Sequence, residues 1–174
     1  MNWSFGTSES WSSTAVARTA VDPATAPVHR TDRHAVLKGG YVVQKQADAI
    51  VTLVSCGSEL QFAVQAAARL TAEGIATRVV SMPCVQFFSE QSDEYKDSVL
   101  SEAPFTISVE AYISTIWARY CNASIAMDSF GFSGASLANY CRFGLDTEGV
   151  YQKVTRFVNS HRGGKKLRRW TLLK

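Results

Sequence analysis

Ala49-Ile50-Val51-Thr52-Leu53-Val54-Ser55-Cys56-Gly57-Ser58-Glu59-Leu60 passes from a β-branched stretch through a tight turn into a helix start. The first seven residues are apolar almost without alternation. That pattern belongs to a strand covered on both faces, as in the middle of a parallel sheet. Cys56-Gly57-Ser58 makes the turn, and Ser58 is a natural N-cap for the helix that follows. Glu59 to Glu73 is rich in Ala, Leu and Gln, and Leu60, Val64, Ala67, Ala68 and Leu70 fall on one helical face. Gly74 closes that helix, as a glycine just past the last turn does. Thr77-Arg78-Val79-Val80-Ser81 is the next strand, stopped by Pro83.

The same alternation extends both ways. Upstream, Leu37-Lys38-Gly39-Gly40-Tyr41-Val42-Val43 turns on a glycine pair into a short strand. Downstream, Phe105 to Glu110 and Ser124 to Asp128 are strands, and Tyr112 to Tyr120 between them is a short helix. Thr147 to Asn159 is a closing helix capped by Asp146 or Thr147, with Val150, Val154, Phe157 and Val158 facing inward. Strands separated by helices require right-handed crossovers. The fold class is therefore α/β: an open, mainly parallel sheet with helices on both faces, a three-layer αβα arrangement. Residues 1–36 lack sustained periodicity and are dominated by Ser, Thr and Ala, so they are expected to be an extended or disordered leader. The domain then covers 37–160, and 161–174 is a basic tail.

The chain has 174 residues, 46% hydrophobic and 19% charged, which suits one globular domain. The formal charge is +3, unevenly placed. His161 to Lys174 holds six bases and no acid, leaving twelve bases against fifteen acids in the body. That is not the overall signature of a nucleic-acid binder; the tail reads as a solvated terminus. No apolar run approaches the roughly 18–20 residues of a membrane span. Met1 to Ala20 lacks the apolar core of a secretory signal and has one base, Arg18. Cys56, Cys84, Cys121 and Cys141 lie in or beside apolar runs without C-x-x-C spacing, so buried, reduced thiols and a cytoplasmic location are expected.

The individual motifs are modest. The Gly57, Ser58, Glu59 turn presents backbone N–H groups that can hold a phosphate or carboxylate, or simply serve its own helix. Cys56, just ahead of a helix, is a candidate for a lowered thiol pKa. Glu110 ends a buried strand, where α/β folds project functional groups or hydrogen-bond to a neighbouring turn. Gly131-Phe132-Ser133-Gly134-Ala135 resembles a nucleophile elbow, with Asp146 and His161 in hydrolase order. Only 41 residues follow Ser133, too few for the strands that carry the acid and base. His29, His34 and His161 lie in leader and tail, so no metal site is expected. These residues alone supply no catalytic constellation.

Their order carries more. Leu37 to Val43, Val54 to Leu60 and Gly74 to Pro83 are followed by Phe88, Gln91, Glu94-Tyr95 and Ser98-Val99-Leu100, then Ser108-Val109-Glu110-Ala111 and Trp117. Met127-Asp128-Ser129-Phe130-Gly131-Phe132-Ser133-Gly134 and Phe143 to Val150 complete the series. Over about residues 36–160 this resembles the C-terminal domain of transketolase. The resemblance implies a thiamine-diphosphate enzyme of the pentose phosphate pathway that moves a two-carbon ketol unit between sugar phosphates. It implies thiamine diphosphate with Mg²⁺ or Ca²⁺ held by two further domains at a homodimer interface, and none of these groups bound by this chain. No family catalytic residue maps here, so the chain is expected to support fold and dimer and to be inactive alone. Partners would be the two missing domains or a transketolase subunit, with sugar phosphates met only in that context.

The leader would be a remnant of the pyrimidine-binding domain that precedes this one in the family. Within it Arg18, in a blurred Ser/Thr-Arg-Gln element, is the one substrate contact carried over. The chain departs from the family at Ser129, where the family has Arg, and at the bulky Phe132. The alternative is a free-standing, non-catalytic binding or regulatory module that uses the Gly57-Ser58-Glu59 helix start for a small anion or pairs with a full-length subunit.

Overall fold

The computed structural model describes residues 33–100, 103–161 and 171–173. Arg18 and His29 lie outside them, as does most of the segment expected to be a leader. Strand β2 (Val51–Ser55) is buried at every position, as an unbroken apolar run requires when both faces are covered. A short 3-10 turn (Gly57–Glu59) leads into α2 (Leu60–Ala72). No side chain caps either start, so Ser58 is not the N-cap expected of it; its hydroxyl reaches Glu59 and Tyr140 instead. Helix α2 buries Leu60, Ala63, Ala66, Ala67 and Leu70. The buried stripe is therefore rotated from the expected one, and Ala68 faces solvent.

Gly74 ends α2 at φ +85°, with Ile75 N–H bonded to Leu70 O at 2.8 Å and Gly74 N–H to Thr71 O at 3.1 Å. This paired closure absorbs carbonyls that the helix end would leave open, and its left-handed backbone favours glycine. Next comes β3 (Thr77–Ser81), parallel to β2. The other neighbour of β2 is β4 (Phe105–Val109), again parallel, followed by β5 (Ala123–Ile125). The edge strand β1 (Tyr41–Gln44) pairs antiparallel with β3. The six-stranded order is β1-β3-β2-β4-β5-β6, with β6 at Thr171–Leu172 and all strands parallel except β1.

The two faces are built differently. Odd-numbered residues of the central strands, Val51, Leu53, Val79, Ile107 and Val109, meet α2 and α6 (Thr147–His161) in the larger core. Helix α6 buries Val150, Val154, Phe157 and Val158, the four positions its periodicity marks. It begins with Asp146 Oδ1 accepting from Gly149 N–H at 3.2 Å, so Asp146 is the cap. Arg69 bonds to Glu148, and Thr147 Oγ1 to Gln65 at 2.6 Å, holding α6 to α2. On the opposite face Val54 and Val80 meet Met82, Phe88, Val99, Trp117 and Cys121. Met82 directly follows β3, and the others come from α3 (Val85–Ser89), α4 (Asp93–Leu100) and the segment before β5. Here the strands also carry buried Thr52, Arg78, Thr106, Ser108 and Ser124.

Several elements depart from the expected layout. The helix expected over Tyr112 to Tyr120 is a shorter 3-10 helix, Ser114–Arg119. Helix α1 (Arg33–Leu37) starts inside the segment expected to be leader. Strand β6 (Thr171–Leu172), in the segment expected to be a solvated tail, pairs parallel with β5. Helix α5 (Ser136–Phe143), where no element was expected, has no fully buried residue; Tyr140 and Phe143 pack half-buried against the larger core while Leu137 stays exposed.

Candidate functional site

In an open α/β sheet, ligands collect beyond the carboxyl ends of the strands where the chain order reverses. Here the chain runs from β2 to β3 on one side, then crosses to β4 on the other. The crevice therefore lies above Ser55 and Val109, and it is there that the candidate residues meet. Cys56 Sγ donates to Glu110 Oε2 at 2.8 Å, joining the ends of β2 and β4. Ser58 Oγ lies 3.2 Å from Glu59 Oε2 and 3.0 Å from the Tyr140 hydroxyl. Tyr140, on α5, donates to Glu59 Oε1 at 2.6 Å. Below, Ser55 Oγ donates to Val109 O at 2.7 Å and locks the two strand ends together. The side-chain cluster of Cys56, Ser58, Glu59, Glu110 and Tyr140 crowns the switch point.

Its electrostatics are those of a proton-holding cluster. Burial pushes the Glu110 carboxyl up to about 7; the Glu59 carboxylate adds to the rise, and hydrogen bonds from Cys56 oppose it. Burial also raises the Cys56 thiol, helped by the Glu110 and Glu59 carboxylates. The lowered thiol pKa expected from the helix start is thus reversed, because two carboxylates and desolvation outweigh the helix dipole. Cys56 is a neutral hydrogen-bond donor. Burial, then the bond to Glu59, raises the Tyr140 phenol as well. Glu110 does what a structural acceptor does, accepting the hydrogen bond of the Cys56 thiol in the neighbouring turn.

The geometry weighs on the anion reading of Gly57, Ser58 and Glu59. Glu59 is only 5% exposed and its carboxylate lies beside the turn, with Glu110 beyond it. An anion would meet two carboxylates at close range. Nor does the crest fit a metal–diphosphate group: the same carboxylates repel the diphosphate. Among the described residues no three His, Cys, Asp or Glu side chains are grouped to hold a metal ion. His34 and His161 sit in α1 and at the end of α6. His161 Nδ1 lies 2.8 Å from Phe157 O, a local contact that ties the ring to its own helix. The cysteines are free; Cys141, against expectation, is exposed because α5 turns it away from the core.

Sequence reasoning missed Tyr140. Its signal was helical spacing with two other apolar residues, Leu137 and Phe143, and its partner lies 81 residues away. A small cavity of about 170 Å³ adjoins it, lined by Ala111, Met127, Phe132, Asn139 and Tyr140 among others. Phe132, the bulky departure, is accommodated by stacking on Phe143 with centroids 5.7 Å apart, while the Arg142 guanidinium sits 3.6 Å above it.

The architecture is that of a mainly parallel αβα domain whose side chains at the switch point bond to one another. Residues 39–146 match the Transketolase-like TK C-terminal domain, and the chain belongs to that family. It is 38% identical over 128 residues to Transketolase 1 of Saccharomyces cerevisiae, covering 74% of this chain and 19% of the relative. With Dihydroxyacetone synthase of Candida boidinii it shares 36% over 124 residues, covering 71% and 18%. The structure of transketolase from Leishmania mexicana superposes with a TM-score of 0.71 at 34% identity, covering 82% of this chain and 21% of that one. The chain thus spans about a fifth of the length of the curated relatives it matches. No helix among the described residues is long and apolar enough to cross a membrane.

Proposed function

We propose that the chain serves as the C-terminal domain of a transketolase-type assembly that transfers a two-carbon ketol unit between sugar phosphates in the cytoplasm, within the pentose phosphate pathway. Thiamine diphosphate and Mg²⁺ or Ca²⁺ would be held by other domains or subunits, and this chain would contribute packing and dimer contacts. One observation carries the reading: the match to the C-terminal family over residues 39–146 comes with a switch-point crest whose carboxylates suit internal bonding and not a diphosphate. Exposed Tyr112, Ile113, Ile116, Phe130, Phe132 and Leu137 support it, since apolar side chains gathered near one end of a sheet mark a contact surface. Arg18 would grip the sugar phosphate. The free-standing anion-binding module is not favoured, for the electrostatic reason given above.

The test mixes this chain with a yeast transketolase truncated before its own C-terminal domain. Co-elution with recovery of ketol transfer is expected, and Arg18→Ala should then weaken sugar-phosphate use. Saturable thiamine-diphosphate binding by the 174-residue chain alone, followed by calorimetry, would overturn the division of labour.

A further inference from the structure

Glu59 and Glu110 hold the two carboxylates of the crest without a counter-cation. Among the described residues, no Lys, Arg or His lies within ion-pair reach of either. Their partners are neutral donors: the Cys56 thiol for Glu110, and the Ser58 and Tyr140 hydroxyls for Glu59. Cys56 in the turn after β2, Glu59 in the 3-10 turn and Tyr140 on α5 are the titratable groups facing Glu110. None of them can carry a positive charge. Carboxylates drawn out of water are ordinarily offset by a cation. Glu59 is buried, whereas Glu110 is half-buried and open to an incoming side chain.

The surface around this pair is apolar. Glu110 leads through Ala111 into exposed Tyr112 and Ile113, and Tyr140 shares α5 with exposed Leu137. Ala111, Phe132 and Tyr140 line the small cavity beside the crest together with Met127. Met127 also lines the next hollow, with Ile113 and Phe130, and its N–H donates to Tyr112 O at 3.0 Å. Crest and exposed side chains therefore form one continuous surface at the carboxyl end of the sheet. Phe130 is 96% exposed on it, and a contiguous apolar surface of this kind marks a contact site. Asp128, the acid of that second hollow, already accepts from Ser114 N–H and Ser114 Oγ.

We infer that this face docks onto a partner protein surface that is apolar around one basic side chain, an Arg or Lys, and that this cation pairs with Glu110. The inference rests on the assembly proposed above and adds the chemistry of the surface the chain meets in it. Charge complementarity selects the occupant. A second copy of the chain, joined through the same face, would set one acidic crest against another. An apolar surround that excludes water strengthens the pair. Burial and the Glu59 carboxylate hold the free Glu110 carboxyl up at about 7. A cation favours the ionised form, so docking below that pH must expel a proton and docking above it need not. Assembly should therefore tighten as pH rises to about 7 and then level off.

Calorimetric titration of the full chain with the truncated yeast transketolase, itself checked for a cooperative melt, tests this at about pH 5.5 and about pH 8. Affinity should be about tenfold higher at the upper pH. Glu110→Gln, which keeps an acceptor for Cys56, should weaken assembly about tenfold at the upper pH and flatten the pH dependence. Asp48→Asn removes one charge ahead of β2, at the amino end of the sheet, where Asn also suits the positive φ. It should change neither quantity. Assembly with an unchanged Kd in Glu110→Gln, or with a pH dependence that survives there, overturns the cation pairing and leaves the assembly standing. An equal loss in Asp48→Asn reduces the effect to overall charge and overturns it too. Absence of any assembly overturns both readings.

Discussion

Glu110 shows how a single residue can couple stability to pH. Its carboxyl titrates at about 7 in the fold against an ordinary 4.5. The folded state therefore holds the proton more firmly than the unfolded chain does. That contribution is fully present below pH 4.5 and is lost as pH rises through about 7. With allowance for solvent reaching this part-exposed group, it is worth about 1–2 kcal/mol. Glu110→Gln, which cannot ionise, should raise the melting temperature relative to the parent by about 2–6 °C more at pH 8 than at pH 5. Equal differences at the two pH values would show that the carboxyl is not held up. Tyr140→Phe should lower stability by about 1 kcal/mol in denaturant melts, because it leaves the Glu59 carboxylate short of a buried donor.

At the scale of elements, two glycines separate backbone strain from collision. Gly74 has φ +85° and open space where a Cβ would stand, so Gly74→Ala should cost only the left-handed strain, about 1 kcal/mol. Gly39 has a similar φ of +81°, but a Cβ there would come within 2.3 Å of Cys84 O and 2.4 Å of Phe88 N. Gly39→Ala must therefore push the start of α3 off the sheet. Urea titration should show a loss at least about twice that of Gly74→Ala; equal losses would mean α3 moves freely. The strands and the two large helices were legible in the chain because burial on both faces writes itself as apolar runs, and α6 as a clean stripe. Helix α5 was missed because its eight residues carry only a short apolar stripe, Leu137, Tyr140 and Phe143, of which the last two pack half-buried on the core. Nor was β6, whose two residues gain their structure only from the open edge of β5.

For the molecule as a whole, the sheet edge is the exposed liability. Thr171 and Leu172 pair with Ala123 and Ser124, covering a buried strand that would otherwise show unpaired backbone groups. Truncation after His161 should lower the melting temperature by about 3–6 °C and promote self-association seen by light scattering. A monomer with unchanged melting would mean β6 is not integral to the sheet.

The chain by itself determined the alternation of strands and helices, the double-sided burial of β2, the inward stripe of α6 and membership of the transketolase C-terminal family. Each of these is a local or ordered pattern, set by periodicity and by blocks that keep their sequence even when separated. Only the tertiary structure decided the chemistry of the crest. Cys56 meets Glu110 across 54 residues, and Tyr140 meets Glu59 across 81. A thiol at a helix start looks acidic in isolation. Packed against two carboxylates and taken out of water it becomes the reverse, because desolvation and charge act through space and not along the chain.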